Sequence, residues 1–336
     1  MLVAGDIGGT KTDLAIFSSE DGPHAPLLQA RVHSADYPSL QAIVKEFLAK
    51  TKKPVDRACF AVAGPVMDGK VKTTNLPWVI EETSLAKELN INAESVHLIN
   101  DLEAIARAIP ILRPSDVHTI NAGEPARNGT IAVIAPGTGL GESFLTWEKS
   151  RYVAHSSEGG HSDFAPTDGR QIRLLEYMLK LFDHVSFEHV CSGIGIPHIY
   201  RYLRDVENLA EQSDIARQID AAADPSVVII KEAINSPNPS KLCAATIDLF
   251  ALILASEAGN LAVKFLATGG VYLAGGVAVH TLRVIEEPAF MQRFKRKGRF
   301  AEFMGRIPIH VVVTPAGLAG AAACGLSSFR GEAGLN

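Results

Sequence analysis

Cysteine is scarce in this chain, which has four among its 336 residues. The four are far apart and form no Cys-x-x-Cys pair: Cys59, Cys191, Cys243 and Cys324. This spacing indicates neither a zinc site nor a disulfide framework, and we expect small buried apolar side chains instead. The prediction is a protein of the reducing cytoplasm.

The chain also lacks a strong excess of one charge and a long apolar run. Its formal net charge is −5, which argues against nucleic acid as a partner. The longest apolar run, around Leu249–Ala255, is interrupted by Asp248 and Glu257, so no membrane partner is expected. The N-terminus enters strand-like residues without a basic region or a cleavage site, so no leader is expected.

What is present is an α/β pattern long enough for two domains. Each half opens in the same way, with an apolar strand, a glycine-rich turn containing threonine, and a second apolar strand. A helix rich in small residues, Pro315–Ser328, is expected to return to the first half. We therefore predict a small α/β domain of residues 1–110 plus 315–336, and a large α/β domain of residues 111–314 with helical insertions.

The stretch Val96–Asp101 places polar residues where a strand ends and a helix begins. Open α/β sheets bind ligands at the carboxyl ends of their strands. Asp101 is expected at the N-cap, where the helix dipole favours an ionised carboxylate. It could accept a proton from a hydroxyl-bearing substrate while Asn100 fixes the orientation. The alternative is that Asp101 only caps the helix and Asn100 only forms a turn.

The first glycine-rich stretch runs from Gly5 to Thr10, and it differs from a Walker phosphate loop. Consecutive glycines let backbone N–H groups approach phosphate oxygens, and the threonine adds a hydroxyl. Asp6 at the strand end could hold Mg²⁺ through water, because this ion prefers oxygen ligands and keeps several waters. The alternative is an ordinary glycine hairpin.

Two further glycine stretches follow. Gly137–Gly141 repeats the turn with a threonine, and the two turns together suggest two walls that grip one polyphosphate. Gly275 and Gly276, after a strand, would offer a flat backbone surface to an adenine ring. In addition, Glu158 and His161 flank two glycines, so a tight turn could aim both side chains at sugar hydroxyls. The alternative for His161 is a structural histidine.

In this order these landmarks resemble the actin-like ATPase superfamily, which has a ribonuclease H-like fold and includes sugar kinases. More closely, six stretches resemble bacterial glucokinases: Thr74–Trp78, Ile99–Asp101, Gly137–Gly141, Glu158–Pro166, Ser192-Gly193 and Leu273–Gly276. The resemblance implies two actin-like ATPase domains around a central cleft. It also implies ATP-dependent phosphorylation of glucose at the 6-hydroxyl, giving glucose 6-phosphate and ADP.

The resemblance also implies residue roles. Asp101 would be the general base, and Asn100, Asp101, Glu158, His161 and Glu188 would bind the sugar. Glu188 rests mainly on this resemblance, and its alternative is a solvated helix carboxylate. The residues expected to line the nucleotide are Gly5, Asp6, Ile7, Gly8, Gly9, Thr10, Gly137, Thr138, Gly139, Gly141, Gly275 and Gly276, with Mg²⁺ held by Asp6 through water.

One departure concerns the branch of the superfamily. Lys11 and Thr12 are similar to the repressor-and-kinase (ROK) branch, whose members carry a cysteine-rich zinc motif after their histidine. Here Ser162 and Asp163 follow His161 without a cysteine cluster, so we expect the branch without zinc. Lys11 would either contact phosphate or remain in solvent.

Alternative functions remain at this point. One is a kinase of another hexose: fructose, mannose or an amino sugar. Another is a non-catalytic sugar-sensing regulator, which would need a DNA-binding arm for which no room is expected before the first strand. A third is a chaperone- or actin-like ATPase, which would lack the pairs Asn100-Asp101 and Glu158–His161. We expect glucose and ATP as ligands and a homodimer.

Overall fold

The structure is a computed structural model that describes residues 1–51, 53–73 and 76–327. Two residues of the quoted landmark Thr74–Trp78, Thr74 and Asn75, lie outside the described residues. Residues 328–336, the last part of the expected small domain, also lie outside them.

The chain divides into two compact units. The first unit holds Met1–Arg113, the three residues Tyr152–Ala154 and the segment from Thr314 onward. The second unit holds Pro114–Arg151 and His155–Val313. Each unit has its own sheet with apolar side chains packed on it.

The sheet of the first unit is built from apolar stretches that alternate with two amphipathic helices. Its strand order is β3-β2-β1-β4-β7, with β1 antiparallel to β2 and parallel to β4, which is parallel to β7. The elements are β1 (Leu2–Ile7), β2 (Lys11–Phe17), β3 (Pro26–His33), α1 (Leu40–Ala49), β4 (Arg57–Val62), β5 (Lys70–Lys72), β6 (Val79–Glu81), α2 (Glu82–Leu89), β7 (Val96–Asn100) and α3 (Asp101–Ala108).

The second unit repeats this strand order on a larger scale. Its sheet runs β11-β10-β9-β12-β13-β8, and β9, β12 and β13 are parallel. The elements are β8 (Val117–Asn121), β9 (Ile131–Pro136), β10 (Leu140–Glu148), β11 (Arg151–Ser157), α4 (Gly169–Met178), α5 (Gly195–Asp205), α6 (Ser213–Ala221), α7 (Pro225–Asn235), α8 (Lys241–Phe265), β12 (Gly270–Leu273), α9 (Gly275–His280), α10 (Leu282–Ile285), α11 (Pro288–Phe294), α12 (Ala301–Arg306) and β13 (Ile309–Val312).

Helix α8 is the central helix of the second unit. By length and composition alone its 25 residues could cross a membrane, but 78% of its most apolar window is buried within the protein. It packs against α5, α7 and α11. The apolar composition therefore serves the core of this unit, where an all-round hydrophobic helix is expected.

The last helix, α13 (Gly317–Ser327), packs against α3, β1 and β4 of the first unit. Its small residues allow this close approach. A Cβ on Gly320 would overlap the main-chain carbonyl of Ala104 in α3, and one on Gly325 would overlap Leu2 in β1. Gly320 is therefore required by packing, since a side chain there would meet the main chain of α3 and push the helix away.

Candidate active site

The junction of β7 and α3 positions the first two predicted site residues. Asn100 has extended backbone angles, and its Oδ1 accepts hydrogen bonds from the N–H groups of Leu102 (2.9 Å) and Glu103 (3.4 Å). Its Nδ2 donates to the carbonyl of Gly64 at 3.0 Å. Asn100 is therefore the N-cap, and the prediction that Asp101 occupies this position is wrong. Asp101 is the first residue of α3.

Asp101 is fixed by the same helix N-terminus. Its Oδ1 accepts a hydrogen bond from the Leu102 N–H at 2.9 Å. Burial raises the pKa of this carboxyl, although hydrogen bonds from the Leu102 N–H and the Asn100 side chain pull it downward. The N–H groups at the helix start favour the ionised form, as expected, but desolvation by burial has the larger effect on this pKa. A raised pKa makes the carboxylate a stronger base than an exposed aspartate.

Asp6 lies in β1, opposite Asp13 of β2. Burial raises the pKa of Asp6 to about 6, with further contributions from the negative charges of Asp101 and Asp13, while Arg31 acts in the opposite direction. In the described part of the chain no hydrogen-bond donor reaches its carboxylate. An acidic oxygen pair without a donor suits a hydrated divalent cation, so Asp6 fits its predicted role toward Mg²⁺.

The first glycine turn, Gly8–Thr10, joins β1 and β2. The N–H of Gly8 donates to the carbonyl of Lys11 at 2.9 Å, and Ser34 donates its hydroxyl proton to the carbonyl of Gly8 at 2.8 Å. Lys11 is exposed. The turn is therefore closed by its own backbone and held by Ser34, a residue that sequence reasoning did not find.

Two residues predicted for the nucleotide stand apart from this turn. Gly5 and Ile7 are buried within β1, and a Cβ on Gly5 would overlap Leu14 and Phe60. Their main chains pair with the neighbouring strands β2 and β4. Their contribution is to carry Asp6 and the turn.

The second glycine turn, Gly137–Gly141, is held by the segment that follows Ser192. The carbonyl of Gly137 accepts from the N–H of Gly193 at 2.8 Å, and the carbonyl of Thr138 accepts from the N–H of Ile194 at 3.1 Å. The N–H of Gly137 donates to the carbonyl of Gly139 at 2.9 Å. The main-chain carbonyls of this turn are thus tied down by neighbouring backbone.

The third glycine stretch lies beside the second. Gly275 begins α9 at the end of β12 with a φ of +82°, and a Cβ there would meet the carbonyl of Pro136. A side chain at this position would be strained and obstructed, so glycine is required. Gly276 faces open space, where a Cβ would have no neighbour within 4 Å. The structure thus brings the second and third glycine stretches together.

Three predicted sugar-binding residues also meet in the second unit. Gly159–His161 forms a 3-10 turn after Glu158. The Nε2 of His161 is 3.9 Å from Oε2 of Glu158, and its Nδ1 is 3.9 Å from Oε1 of Glu188. Glu158 and His161 are exposed, whereas Glu188 is only 24% exposed. The alternative of Glu188 as a solvated helix carboxylate is thus wrong.

The comparison with known proteins decides the family. The model of the family described as Glucokinase matches residues 3–327 of this chain. The chain belongs to the glucokinase family. The predicted resemblance is therefore confirmed.

Individual glucokinases are similar over nearly their whole length. The glucokinase of Nostoc punctiforme is 40% identical over 340 residues, which cover 96% of this chain and 98% of that protein. The crystal structure of a glucokinase from an Antarctic psychrotroph is 32% identical with a TM-score of 0.80, covering 96% of this chain and 98% of its own.

A more distant structure shows the fold alone. The ROK glucokinase of Streptomyces griseus, solved in complex with glucose and AMPPNP, is 17% identical with a TM-score of 0.63 and covers 96% of this chain and 98% of its own. The predicted α/β fold class with two actin-like ATPase domains is confirmed by these neighbours.

One residue near the sites of this glucokinase-family chain escaped sequence reasoning. Glu142 on β10 is only 2% exposed, and its carboxyl lies against the α-carbon of Gly159. Burial raises the pKa of Glu142 to about 8, assisted by the negative charge of Glu257. Its place two residues after the buried Leu140, on the same face of the strand, was the available signal.

Proposed function

We propose that this chain catalyses the ATP-dependent phosphorylation of glucose at its 6-hydroxyl, giving glucose 6-phosphate and ADP, with Asp101 as the general base. The glucokinase family to which it belongs consists of enzymes that phosphorylate glucose. The observation that carries the residue assignment is the position of Asp101 at the carboxyl end of β7, held by the Leu102 N–H.

Asp101 would take the proton of the attacking hydroxyl. Phosphoryl transfer is mostly loose, so positioning and electrostatic stabilisation contribute more than the base strength. The raised pKa of Asp101 still favours proton acceptance late in the transfer. In this proposal the deprotonated carboxylate also orients the 6-hydroxyl toward the phosphoryl group.

The sugar hydroxyls would be bound by Glu158, His161 and Glu188, with the Asn100 amide beside the base. Because Asn100 uses Oδ1 as the cap and its two amide N–H groups toward the Gly64 carbonyl and the Asp101 carboxyl, it would mainly orient the base. This is a narrower role than the resemblance implied. The carboxylates can accept from paired hydroxyls, as sugar recognition requires.

The phosphates of ATP would be bound by backbone N–H groups of the two glycine turns, and the adenine would lie on Gly275 and Gly276. The Streptomyces griseus enzyme solved with AMPPNP supports ATP as the phosphoryl donor in this fold. Asp6 would hold Mg²⁺ through water. When bound there, the ion would offset phosphate charge.

The closest alternative is a kinase of another hexose. A coupled assay with ATP and Mg²⁺ across glucose, fructose, mannose and glucosamine separates the two. We expect turnover with glucose and far less with the others. Turnover highest with another hexose would replace the substrate assignment, and sugar binding without any turnover would favour the sugar-sensing regulator.

We also propose that this protein is a cytoplasmic homodimer that binds no zinc. Its functional domains would be a small domain of residues 1–110 plus 315–336 and a large domain of residues 111–314. Three exposed apolar side chains on and just after α4 support self-association: Ile172, Leu179 and Leu181. Among the described residues the four cysteines are buried thiols outside any disulfide, which suits a reducing compartment. Analytical ultracentrifugation tests the dimer, and stoichiometric zinc in elemental analysis would overturn the choice of branch.

A further inference from the structure

One carboxylate contacts both the second glycine turn and the Glu158–His161 turn. Oε2 of Glu188 accepts a hydrogen bond from the N–H of Leu140, inside the second glycine turn, at 2.9 Å. Its Oε1 is 3.9 Å from Nδ1 of His161. The main-chain N–H of Glu188 donates to the carbonyl of Gly160 at 2.9 Å.

The Glu188 carboxylate lies against the second glycine turn, and the Glu158–His161 turn lies against the main chain of Leu140. A Cβ on Gly139 would overlap Oε2 of Glu188, and a Cβ on Gly160 would overlap the carbonyl of Leu140. Each turn therefore packs its backbone directly on the other or on Glu188. A Glu188 side chain pushed away from Gly139 would lose its hydrogen bond with the Leu140 N–H, so a change in one turn can reach the other through this carboxylate.

We propose that Glu188 is a positioning residue that couples the two turns, so that glucose binding and the grip of the second glycine turn on phosphate strengthen each other. The proposal rests on the proposed function, in which the first ligand binds at the Glu158–His161 turn and the second at Gly137–Gly141. A sugar hydroxyl bound between Oε1 and His161 would fix the carboxylate, and Oε2 would then fix the Leu140 N–H. Coupling of this kind is reciprocal for binding.

The sharpest test changes a residue in the glycine turn assigned to the nucleotide and measures the effect on glucose binding. Gly139→Ala should displace the Glu188 carboxylate and weaken glucose binding, measured by calorimetry without nucleotide, by about 10-fold or more, as loss of a charge-assisted hydrogen bond does. Gly137→Ala is the matched control. It lies in the same turn, but its Cβ would meet no atom within 4 Å, so glucose affinity should stay within about 2-fold of wild type.

A second variant breaks the link at the carboxylate itself. A carboxylate accepts hydrogen bonds at both oxygens, whereas the amide of Glu188→Gln accepts at only one. We expect the wild type to bind AMPPNP at least about 5-fold more tightly with saturating glucose than without, within the usual range of coupling. The ratio of the AMPPNP affinities with and without glucose should approach one in Glu188→Gln. Glu158→Gln, which does not touch the second glycine turn, should keep the wild-type ratio.

The outcomes separate this proposal from the proposed function. Equal glucose affinities of Gly139→Ala and Gly137→Ala, with thermal melting confirming that both are folded, would overturn the coupling. The coupling would also be overturned if glucose did not strengthen AMPPNP binding in the wild type, or if it strengthened AMPPNP binding equally in Glu188→Gln. A wild type that binds neither glucose nor AMPPNP would overturn the proposed function and the coupling together.

Discussion

The carboxylate of Asp6 lies against the α-carbon of Gly317, the first residue of α13. A Cβ on Gly317 would overlap this carboxylate. The absence of a side chain on Gly317 thus lets the carboxylate reach its place beside the N-terminus of the helix, where negative charge is favourable. Gly317 is therefore expected to position the residue proposed to hold Mg²⁺.

Gly317→Ala should displace the Asp6 carboxylate without breaking α13, because alanine is a good helix former. If Asp6 holds Mg²⁺, the Mg²⁺ concentration that half-saturates turnover should rise by roughly 10-fold, the equivalent of about one hydrogen bond. Gly305→Ala in α12 is the control, since its Cβ would make only an ordinary contact with Lys295 at 3.6 Å. An unchanged Mg²⁺ dependence in Gly317→Ala would remove Asp6 from that role.

The buried carboxyl of Glu142 should make the free energy of unfolding depend on pH. The pKa of this carboxyl is raised from its ordinary 4.5 to about 8 in the folded state, so the folded state holds a proton that the unfolded state releases. The stabilisation is complete below pH 4.5 and is lost as pH rises through about 8, by at most about 1.4 kcal/mol per pH unit. Glu142→Gln should make the unfolding free energy less dependent on pH over this window.

Urea denaturation at several pH values measures that slope. The relevant quantity is the difference between wild type and variant, because Asp6, Asp101 and Glu257 also have raised pKa values and contribute to the wild-type slope. Glu148→Gln, at the exposed end of the same strand, is the control and should keep the wild-type slope. Identical slopes for all three proteins would contradict a buried protonated Glu142.

Glu158 tests the sugar contacts. Glu158→Gln should weaken glucose binding by about 1.5–3 kcal/mol, the usual contribution of a charge-assisted hydrogen bond. ATP affinity should barely change, because the contact described for the Glu158 carboxylate is to His161 and not to the second glycine turn. Calorimetry with each ligand alone checks this. If ATP binding weakened as much as glucose binding, Glu158 would belong to the nucleotide site or to the stability of the fold.

The pH profile of kcat/KM reports the base in the free enzyme. The pKa of Asp101 is raised above the ordinary value of 3.8 by burial, and the carboxylate must be ionised to accept a proton. Activity should therefore fall, as pH is lowered, at a pH clearly above 3.8, and Asp101→Glu, if active, should show a different acidic limb. An acidic limb at or below the ordinary aspartate value would contradict a buried base.

Much of the fold could be predicted because strands in this chain are short apolar runs with glycine turns between them. The strand Val96–Asn100 and the helix after it follow directly from that pattern. The same holds for α1, where Ser39 accepts a hydrogen bond from Ala42 as a regular N-cap. The co-location of Glu158, His161 and Glu188 followed from the resemblance, whereas the hydrogen bond between the Leu140 N–H and Glu188 required coordinates.

Other features of the structure had no signal in the local amino-acid sequence. Helices α9 to α12 between β12 and β13 were not predicted, because each has at most seven residues, too few for helical periodicity. The choice of Asn100 over Asp101 as the N-cap could not be predicted either, because both residues are good caps and the choice depends on the Gly64 carbonyl, which follows β4. The raised pKa values of Asp101 and Glu142 could not be predicted for a similar reason, since desolvation depends on the packed structure.

The most direct test of the central claim is the turnover of Asp101→Asn. The amide keeps the shape of the side chain and, as a residue of the first helical turn, should change the melting temperature only slightly, but it cannot accept the proton. We expect kcat to fall by at least roughly 10²–10⁴, with a far smaller change in glucose Kd. A folded variant that retains more than about a tenth of wild-type kcat, well above that range, would contradict Asp101 as the general base.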